Sequence, residues 1–95
     1  MKNRSKTDIV AAILQAAAAN GNNLVGKSRI MYEAYLSWSQ LEEYLSLLIA
    51  KDLIEYQKES HVYRTTEKGN HLLRLYNQLN ELIIVQDQIR KIKVR

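Results

Sequence analysis

The stretch LSWSQLEEYLSLLIAKDLIEYQKESHVYRTTEKG, residues 36–69, changes its hydrophobic period partway along. It opens with Ser37 and carries Gln40 three residues later, a pair typical of a helical capping box. Apolar residues then recur at helical spacing, at Leu41, Tyr44, Leu45 and Leu48. Further along, apolar and polar residues alternate, and β-branched and aromatic residues become frequent. The stretch therefore predicts a helix followed by two short strands, 53–58 and 61–65, joined by a tight turn.

Two further helices are predicted before this stretch. The first begins at Ser5 or Thr7, with Ser5 and Asp8 as its capping pair, and ends at a left-handed cap at residues 20–21. Its Ala-rich sequence favours helix throughout, and apolar residues on more than one side indicate a central packing helix. The second helix runs from residue 27 to about residue 35. Its inward residues are Ile30, Met31 and Ala34.

The last predicted helix is long. Thr66 caps it, and because no Pro or Gly follows Gly69, it can continue to the end of the chain, about 25 to 30 residues or roughly 40 Å. Its apolar residues follow the spacing of a coiled-coil seam. The predicted seam consists of Leu72, Leu75, Leu79, Leu82, Gln86 and Ile89, with Ile83 widening the stripe. Since such a helix overhangs a small domain, we expect a second copy to cover it in a two-fold dimer, the alternative being that the helix folds back.

Composition limits the class of protein. Ninety-five residues make one domain with a modest core, and the absence of cysteine excludes disulfides and thiolate metal sites. His61 and His71 lie ten residues apart without clustered carboxylates, so no metal site is predicted. No apolar run approaches the roughly 20 residues of a membrane helix, and no signal peptide is recognisable. We therefore expect an intracellular, cytoplasmic protein without a membrane partner or a cofactor.

The net charge of +4 is concentrated at the two ends of the chain. The basic residues there are Lys2, Arg4 and Lys6 at the start, and Arg90, Lys91, Lys93 and Arg95 at the end. Between Asp8 and Asp87 seven basic residues stand against ten acidic ones, a balance of −3. Basic tails indicate contact with a polyanion. Solvated tails are the alternative, so the tails alone do not identify a nucleic-acid binder.

Residues 21–28, GNNLVGKS, match the phosphate-loop pattern GxxxxGK[ST]. In a nucleotide-binding enzyme Lys27 would reach the terminal phosphates and Ser28 would bind magnesium. The pattern requires a buried strand before it, whereas residues 8–20 are Ala-rich and helical. A turn between two helices is therefore the favoured interpretation, and we do not expect an enzyme.

A helix pair followed by a small hairpin is the signature of a winged helix-turn-helix domain, in which the Ser37 helix would read DNA. The candidate DNA-binding residues lie at the start of the second helix, on the outward side of the Ser37 helix and on the hairpin: Lys27, Ser28, Arg29, Ser37, Ser39, Gln40, Glu43, Lys58, His61 and Arg64. Glu42 and Glu43 make this helix unusually acidic for one that reads DNA. Their carboxylates repel the phosphates of the DNA backbone unless one of them accepts a hydrogen bond from a cytosine amino group. Trp38 is expected to turn toward the core. In the hairpin the candidates for the buried face are Leu53, Tyr56 and Val62.

Three blocks of the sequence resemble those of a known family: KSRIMYEA (27–34), LSWSQL (36–41) together with Tyr44 and Leu45, and YRTTEKG (63–69). The family that these blocks resemble is the 10a family of small archaeal winged-helix DNA-binding proteins. The resemblance covers about residues 7–80. It implies a winged-helix domain, an antiparallel coiled-coil dimer formed by the C-terminal helix, and a chromatin-associated or transcriptional role. This sequence departs from the family at Asp52, where a Gly usually ends the recognition helix, although Asp tolerates the left-handed conformation.

These observations combine into one expectation. The fold is mainly α (α+β), with a winged-helix domain and basic tail in residues 1–69 and a coiled-coil dimerisation helix in residues 70–95. The expected partners are double-stranded DNA and a second copy of the chain, in a nucleoid-associated role that is either architectural or regulatory. The alternative is a winged-helix protein-interaction module that does not bind DNA.

Overall fold

The computed structural model describes residues 4–18 and 25–94, with side chains as far as residue 83. In chain order the elements are α1 (Lys6–Ala18), α2 (Lys27–Ala34), α3 (Trp38–Ala50), β1 (Ile54–Gln57), β2 (Val62–Thr65) and α4 (Glu67–Val94). The fold is mainly helical with one antiparallel two-stranded hairpin, which confirms the predicted class and the predicted order of elements. None of the described helices is both long and apolar enough to cross a membrane.

The start of α1 carries the predicted capping pair. The Asp8 backbone N–H donates to Ser5 Oγ at 3.0 Å, and the Ser5 N–H donates to Asp8 Oδ2 at 3.3 Å. Both bonds satisfy backbone donors that the first helical turn leaves without a partner. The predicted end of this helix, at residues 20–21, lies outside the described residues.

The connection from α2 to α3 is a tight turn followed by a capping box. Tyr35 adopts a left-handed conformation at φ 56° and closes α2 with backbone bonds to Met31 and Tyr32. Ser37 Oγ then accepts from the Gln40 N–H at 3.2 Å, while Gln40 Oε1 accepts from the Ser37 N–H at 3.1 Å. The capping box predicted for α3 is therefore confirmed.

The exit from α3 uses a second left-handed residue. Asp52 has φ 64°, and the Leu53 N–H donates to the Leu48 carbonyl oxygen at 2.9 Å. Asp is one of the non-glycine residues that populate this region most often. The chain thus makes the turn that the resemblance assigns to Gly, and it enters β1 directly.

The hairpin is shorter than predicted, and its buried face differs. The strands pair Ile54 with Thr65 and Tyr56 with Tyr63, so these four residues share one face, while Val62 lies on the other. Ile54, Tyr63 and Thr65 are buried, but Tyr56, near the turn, is 39% exposed because the core does not extend that far. The prediction that Tyr56 and Val62 are buried together is therefore wrong, and of the predicted set only Leu53 is buried.

A single core is built around α1. Among the described residues, the largest fully buried side chains come from α1, α2, α3 and β1: Ile13, Leu14, Ile30, Leu41, Leu48 and Ile54. The Thr65 hydroxyl donates to the Leu14 carbonyl oxygen at 2.8 Å, so this buried polar group has a partner. Val25 forms an isolated bridge to Tyr63 and attaches the chain before α2 to the hairpin. Helix α1 is covered on several sides, as predicted.

Helix α4 leaves the domain after a close contact at its base. Thr66 Oγ1 accepts from the Gly69 N–H at 3.0 Å and donates to the Asp52 carbonyl oxygen at 2.8 Å. Leu73 is buried, and the Tyr76 hydroxyl donates to Asp8 Oδ1 at 2.6 Å. The first turns of α4 therefore pack on the domain core beyond the predicted boundary at residue 69, and the division into two units stays a prediction.

The rest of α4 extends past the domain. The helix has 28 residues, about 42 Å at 1.5 Å per residue. The described molecule measures 58 × 27 × 22 Å with a radius of gyration of 15.4 Å. A compact domain of this length would have a radius of gyration of about 12 Å. The long helix predicted to overhang the domain is therefore present.

Candidate nucleic-acid interface

The outward face of α3 is polar and uncovered. Ser39, Gln40 and Glu43 are exposed, while Leu41 and Leu45 on the opposite face are buried. The Ser37 hydroxyl and the Gln40 side-chain oxygen are engaged in the capping box, so they hold the helix end in place. Ser39 and Glu43 remain on the side of the helix that faces away from the core.

Lys27, at the start of α2, is held by two side chains of α3. Its Nζ lies 2.6 Å from Glu42 Oε2 and 4.8 Å from the centroid of the Trp38 ring. The hydrogen bond to Glu42 raises the pKa of Lys27 above its usual value, and the phenols of Tyr63 and Tyr56 raise it further. Lys27 is therefore a fixed cation between α3 and the hairpin, and its charge is already balanced by a carboxylate.

Trp38 does not turn into the core as predicted, since it is 48% exposed. Its helical position is close to that of Leu45, seven residues later, which explains the prediction. However, Trp38 is the first residue of α3 and precedes Leu41, the first buried side chain of that helix. The indole therefore lies beyond the end of the core, against the ammonium group of Lys27.

The two arginines predicted to contact DNA form ion pairs as well. Arg29 Nε lies 2.8 Å from Glu33 Oε2 within α2, and Arg64 Nε lies 2.9 Å from Glu55 Oε2 across the hairpin. Both pairs are largely exposed, and pairs of this kind contribute only about 0 to 1 kcal/mol. A phosphate can therefore replace either carboxylate at small cost.

The hairpin turn carries Lys58 and His61, which are both exposed. His61 is left-handed at φ 56°, and its Nδ1 lies 2.8 Å from the Tyr56 hydroxyl. The Tyr56 ring packs on Tyr63, with centroids 4.7 Å apart and planes 34° from parallel. The predicted wing residues Lys58, His61 and Arg64 thus share one short, ordered hairpin.

The predicted dimer residues fall into three groups. Leu75, Leu79, Leu82 and Ile83 are between 49% and 59% exposed and form an apolar stripe along α4. Leu72, by contrast, is partly buried against the core of its own domain. Gln86 and Ile89 lie in α4, but their side chains are outside the described residues.

Some surface features were not identified from the sequence. Tyr32 and Tyr35 are 81% and 85% exposed near the end of α2. Their helical phase relative to Ile30 and Ala34, which both face the core, is the signal that could have identified them. An open apolar cleft of about 250 Å³ also lies between α1, α3 and the base of α4, with Leu47 and Leu72 on its walls.

Comparison with known proteins assigns this architecture to a family. A winged helix-turn-helix family model matches residues 3–84. Two uncharacterized proteins of Methanocaldococcus jannaschii are each 32% identical: MJ0287 over 84 residues, 88% of this chain and 78% of that protein, and MJ0290 over 78 residues, 82% of this chain. The match spans only 36% of MJ0290.

A solved structure has the same fold. Sso10a-2, a DNA-binding protein from Sulfolobus solfataricus, superposes with a TM-score of 0.66 at 24% identity, covering 95% of this chain and 90% of that one. This match agrees with the resemblance to the 10a family. The family model matches most of the chain, and the relative MJ0287 is similar along nearly the same length. The chain therefore belongs to the winged helix-turn-helix family.

Proposed function

We propose that the protein is a homodimeric, non-enzymatic binder of duplex DNA. The observation that carries this proposal is the uncovered polar face of α3, which stands between the start of α2 and the hairpin. Helix-turn-helix proteins place the N-terminal residues of such a helix against base edges in the major groove. Ser39, Gln40 and Glu43 would occupy that position here. The description of the structurally similar Sso10a-2 as a DNA-binding protein supports the proposal.

The flanking elements would bind the DNA backbone. Lys27, Ser28 and Arg29 lie at the N-terminus of α2, where the helix dipole and free backbone N–H groups favour phosphates. On the hairpin, Lys58, His61 and Arg64 would contact a neighbouring phosphate or the minor groove. The basic segments at the two ends of the chain would add nonspecific attraction.

An architectural role fits the charges of α3 better than sequence-specific regulation. Glu42 is committed to Lys27, and Glu43 would face the bases, where it could accept a hydrogen bond only from a cytosine amino group. Because the cations are dispersed and the reading face is acidic, most of the affinity would come from phosphate contacts. A nucleoid-associated protein of low sequence specificity has these properties.

A second copy of the chain is the expected partner of α4. Helix α4 carries a continuous stripe of half-exposed apolar side chains, Leu75, Leu79, Leu82 and Ile83. Exposing such a stripe to water is unfavourable, so a patch of this kind indicates an interaction site. Pairing two such helices in a coiled coil would bury the stripe and join two DNA-binding domains. The dimer could then contact one duplex at two places or bridge two duplexes.

Binding of a labelled mixed-sequence duplex, followed by fluorescence anisotropy at several salt concentrations, tests the proposal. We expect the logarithm of the affinity to fall linearly with the logarithm of the salt concentration, as phosphate contacts release counterions. Lys58→Ala should lower both the affinity and the slope, whereas Arg74→Ala removes the same charge from α4 and serves as the matched control. No binding at low salt, or binding independent of salt, would contradict the proposal.

A protein-interaction module is the second candidate, and the ion pairs favour it. Lys27, Arg29 and Arg64 are each balanced by a carboxylate, which leaves the face around α3 nearly neutral. Removing residues 1–4 and 90–95 distinguishes the two candidates. A DNA-binding winged helix retains measurable affinity without these tails, whereas a module attracted to DNA only by its tails loses all of it.

A further inference from the structure

Two exposed aromatic rings lie on opposite elements next to Lys27. Trp38, at the start of α3, is 48% exposed, and Tyr56, on the hairpin, is 39% exposed. A continuous series of contacts joins them: Tyr56 packs on Tyr63, the Tyr63 backbone pairs with Val25, and Lys27, two residues later, lies over Trp38. This series connects the ring at the start of α3 to the ring on the hairpin through Tyr63, Val25 and Lys27.

Both rings are held in place although they are exposed. Lys27 covers part of the indole at 4.8 Å and is itself fixed by Glu42 at 2.6 Å. The Tyr56 hydroxyl bonds to His61 at 2.8 Å, and its ring rests on Tyr63. A ligand that stacks on these rings therefore loses little additional side-chain freedom on binding. Ordered, exposed aromatic side chains next to a cation are characteristic of surfaces that bind nucleobases.

We propose that Trp38 and Tyr56 form a stacking surface for unpaired nucleobases, so that the protein also binds single-stranded nucleic acid. In a duplex each base face is covered by its neighbours, so only an unpaired base can offer its face to these rings. The groups beside the Trp38 ring suit the edge of a base, because Lys27 donates hydrogen bonds and the Glu42 carboxylate accepts them. This activity goes beyond the proposed duplex binding and does not depend on it.

The charge around the rings predicts a difference in salt dependence between single-strand binding and duplex binding. Lys27 is paired with Glu42, and Arg64, on the same hairpin as Tyr56, is paired with Glu55. Stacking on this nearly neutral surface releases few counterions. We therefore expect the affinity for a single strand to depend less steeply on salt than the affinity for a duplex.

Trp38 is the only tryptophan of the chain, so its intrinsic fluorescence reports directly on this surface. Titration with oligo-dT and with oligo-rU of the same length should quench its emission and saturate. In anisotropy measurements Trp38→Ala and Tyr56→Ala should each weaken oligo-dT binding about tenfold. Trp38→Phe, which keeps a ring, should retain most of the affinity. Tyr32→Ala removes an 81% exposed tyrosine from α2 and should have no effect.

Unchanged thermal unfolding of the variants would establish that a loss of affinity reflects the surface and not misfolding. The proposal is overturned if oligo-dT leaves the Trp38 emission unchanged, or if Trp38→Ala and Tyr32→Ala bind oligo-dT equally well. It is also overturned if Trp38→Ala alters only the sedimentation of the protein, since the rings would then contact another polypeptide. Binding of oligo-dT without binding of duplex DNA would support this inference and refute the proposed duplex function. Binding of duplex DNA without binding of oligo-dT would support the duplex function and refute this inference.

Discussion

At the residue scale, the pairing of Lys27 with Glu42 decides how strongly the start of α2 attracts phosphate. The ammonium group lies between a carboxylate and an indole ring, so a phosphate must compete with Glu42 for it. Both side chains are partly exposed, and exposed pairs contribute only about 0.2 to 1 kcal/mol. Glu42 would therefore compete with an incoming phosphate for Lys27 without excluding it.

Glu42→Gln should raise the affinity for duplex DNA by about two- to fivefold at low salt, because it frees Lys27 for a phosphate contact. Glu43→Gln is the matched control, since it removes the same charge from the neighbouring position of α3 without breaking this pair. Anisotropy titrations of both variants measure the difference. Equal gains from the two substitutions would mean that general repulsion, and not the pairing of Lys27, sets the affinity.

The bond between Asp8 and Tyr76 links the start of α1 to α4 and makes stability depend on pH. The Tyr76 hydroxyl first, and then Ser5, hold the pKa of Asp8 below 3.8 in the folded protein. Because the folded-state pKa is the lower one, the stabilisation is present above 3.8 and is lost as the pH falls through the folded-state value.

Tyr76→Phe should therefore destabilise the protein more at neutral pH than under acid conditions. The substitution keeps the ring that packs against the core and removes only the hydroxyl donor. Urea unfolding at pH 7, 5, 3 and 2 should show an equal difference between the variant and the parent protein at pH 7 and 5, and a smaller difference at pH 3 and 2. A difference in unfolding midpoint that is the same at every pH would show that the bond to ionised Asp8 has no part in the effect.

At the element scale, the attachment of α4 depends on Gly69. A Cβ there would overlap the Leu53 carbonyl oxygen and the Thr65 methyl group, which are packed against the first turn of the helix. Gly69→Ala should lower the free energy of unfolding by about 2 kcal/mol or more, because the contact includes backbone that cannot move freely. Chemical denaturation measures the change.

Gly26, the residue that caps α2, provides the control for this substitution. A Cβ at Gly26 would lie 3.9 Å from the His61 carbonyl oxygen, an ordinary contact, and φ is −84°. Gly26→Ala should therefore cost less than about 1 kcal/mol, because Ala is a poorer N-cap than Gly but also restricts the unfolded chain. If both alanine variants lost the same stability, the close approach at Gly69 would not be the cause.

The elements that were predicted correctly are those specified by neighbouring residues. The capping box of Ser37 and Gln40 follows from residues three positions apart, and the length of α4 follows from the absence of Pro and Gly after Gly69. The left-handed turn at Asp52 was expected only from the resemblance to the 10a family. The buried face of the hairpin was only partly predictable, because alternation indicates which residues share a face but not where the core ends. Tyr56 lies on the expected face but projects beyond the core.

The candidate site was less predictable than the fold, because it depends on contacts between elements. The bond from Lys27 to Glu42 joins residues fifteen positions apart, and no periodicity reveals it. Trp38 has the helical phase of a core residue and is nevertheless half exposed. The residues of the candidate surface were therefore predicted from the sequence. Their ion pairing and the exposure of Trp38 could be identified only from the tertiary structure.

At the scale of the whole molecule, the proposed dimer depends on the apolar stripe on α4. Leu79 and Leu82 are 56% and 59% exposed and lie beyond the turns that pack against the domain. Leu79→Glu should place a charge in the proposed seam and convert the proposed dimer to a monomer in sedimentation experiments. Asn77→Glu, two positions away on the exposed side of α4 opposite the stripe, adds the same charge outside the seam and should leave the proposed dimer intact.

The same pair of variants tests whether dimerisation contributes to DNA binding. Two linked domains on one duplex bind with an effective concentration that a monomer lacks, so avidity can reach about 10²-fold or more. Leu79→Glu should therefore weaken binding to a long duplex far more than binding to a duplex that accommodates a single domain. If it weakened both equally, the two domains would act independently. A parent protein that sediments as a monomer at all concentrations would instead show that the stripe has another partner.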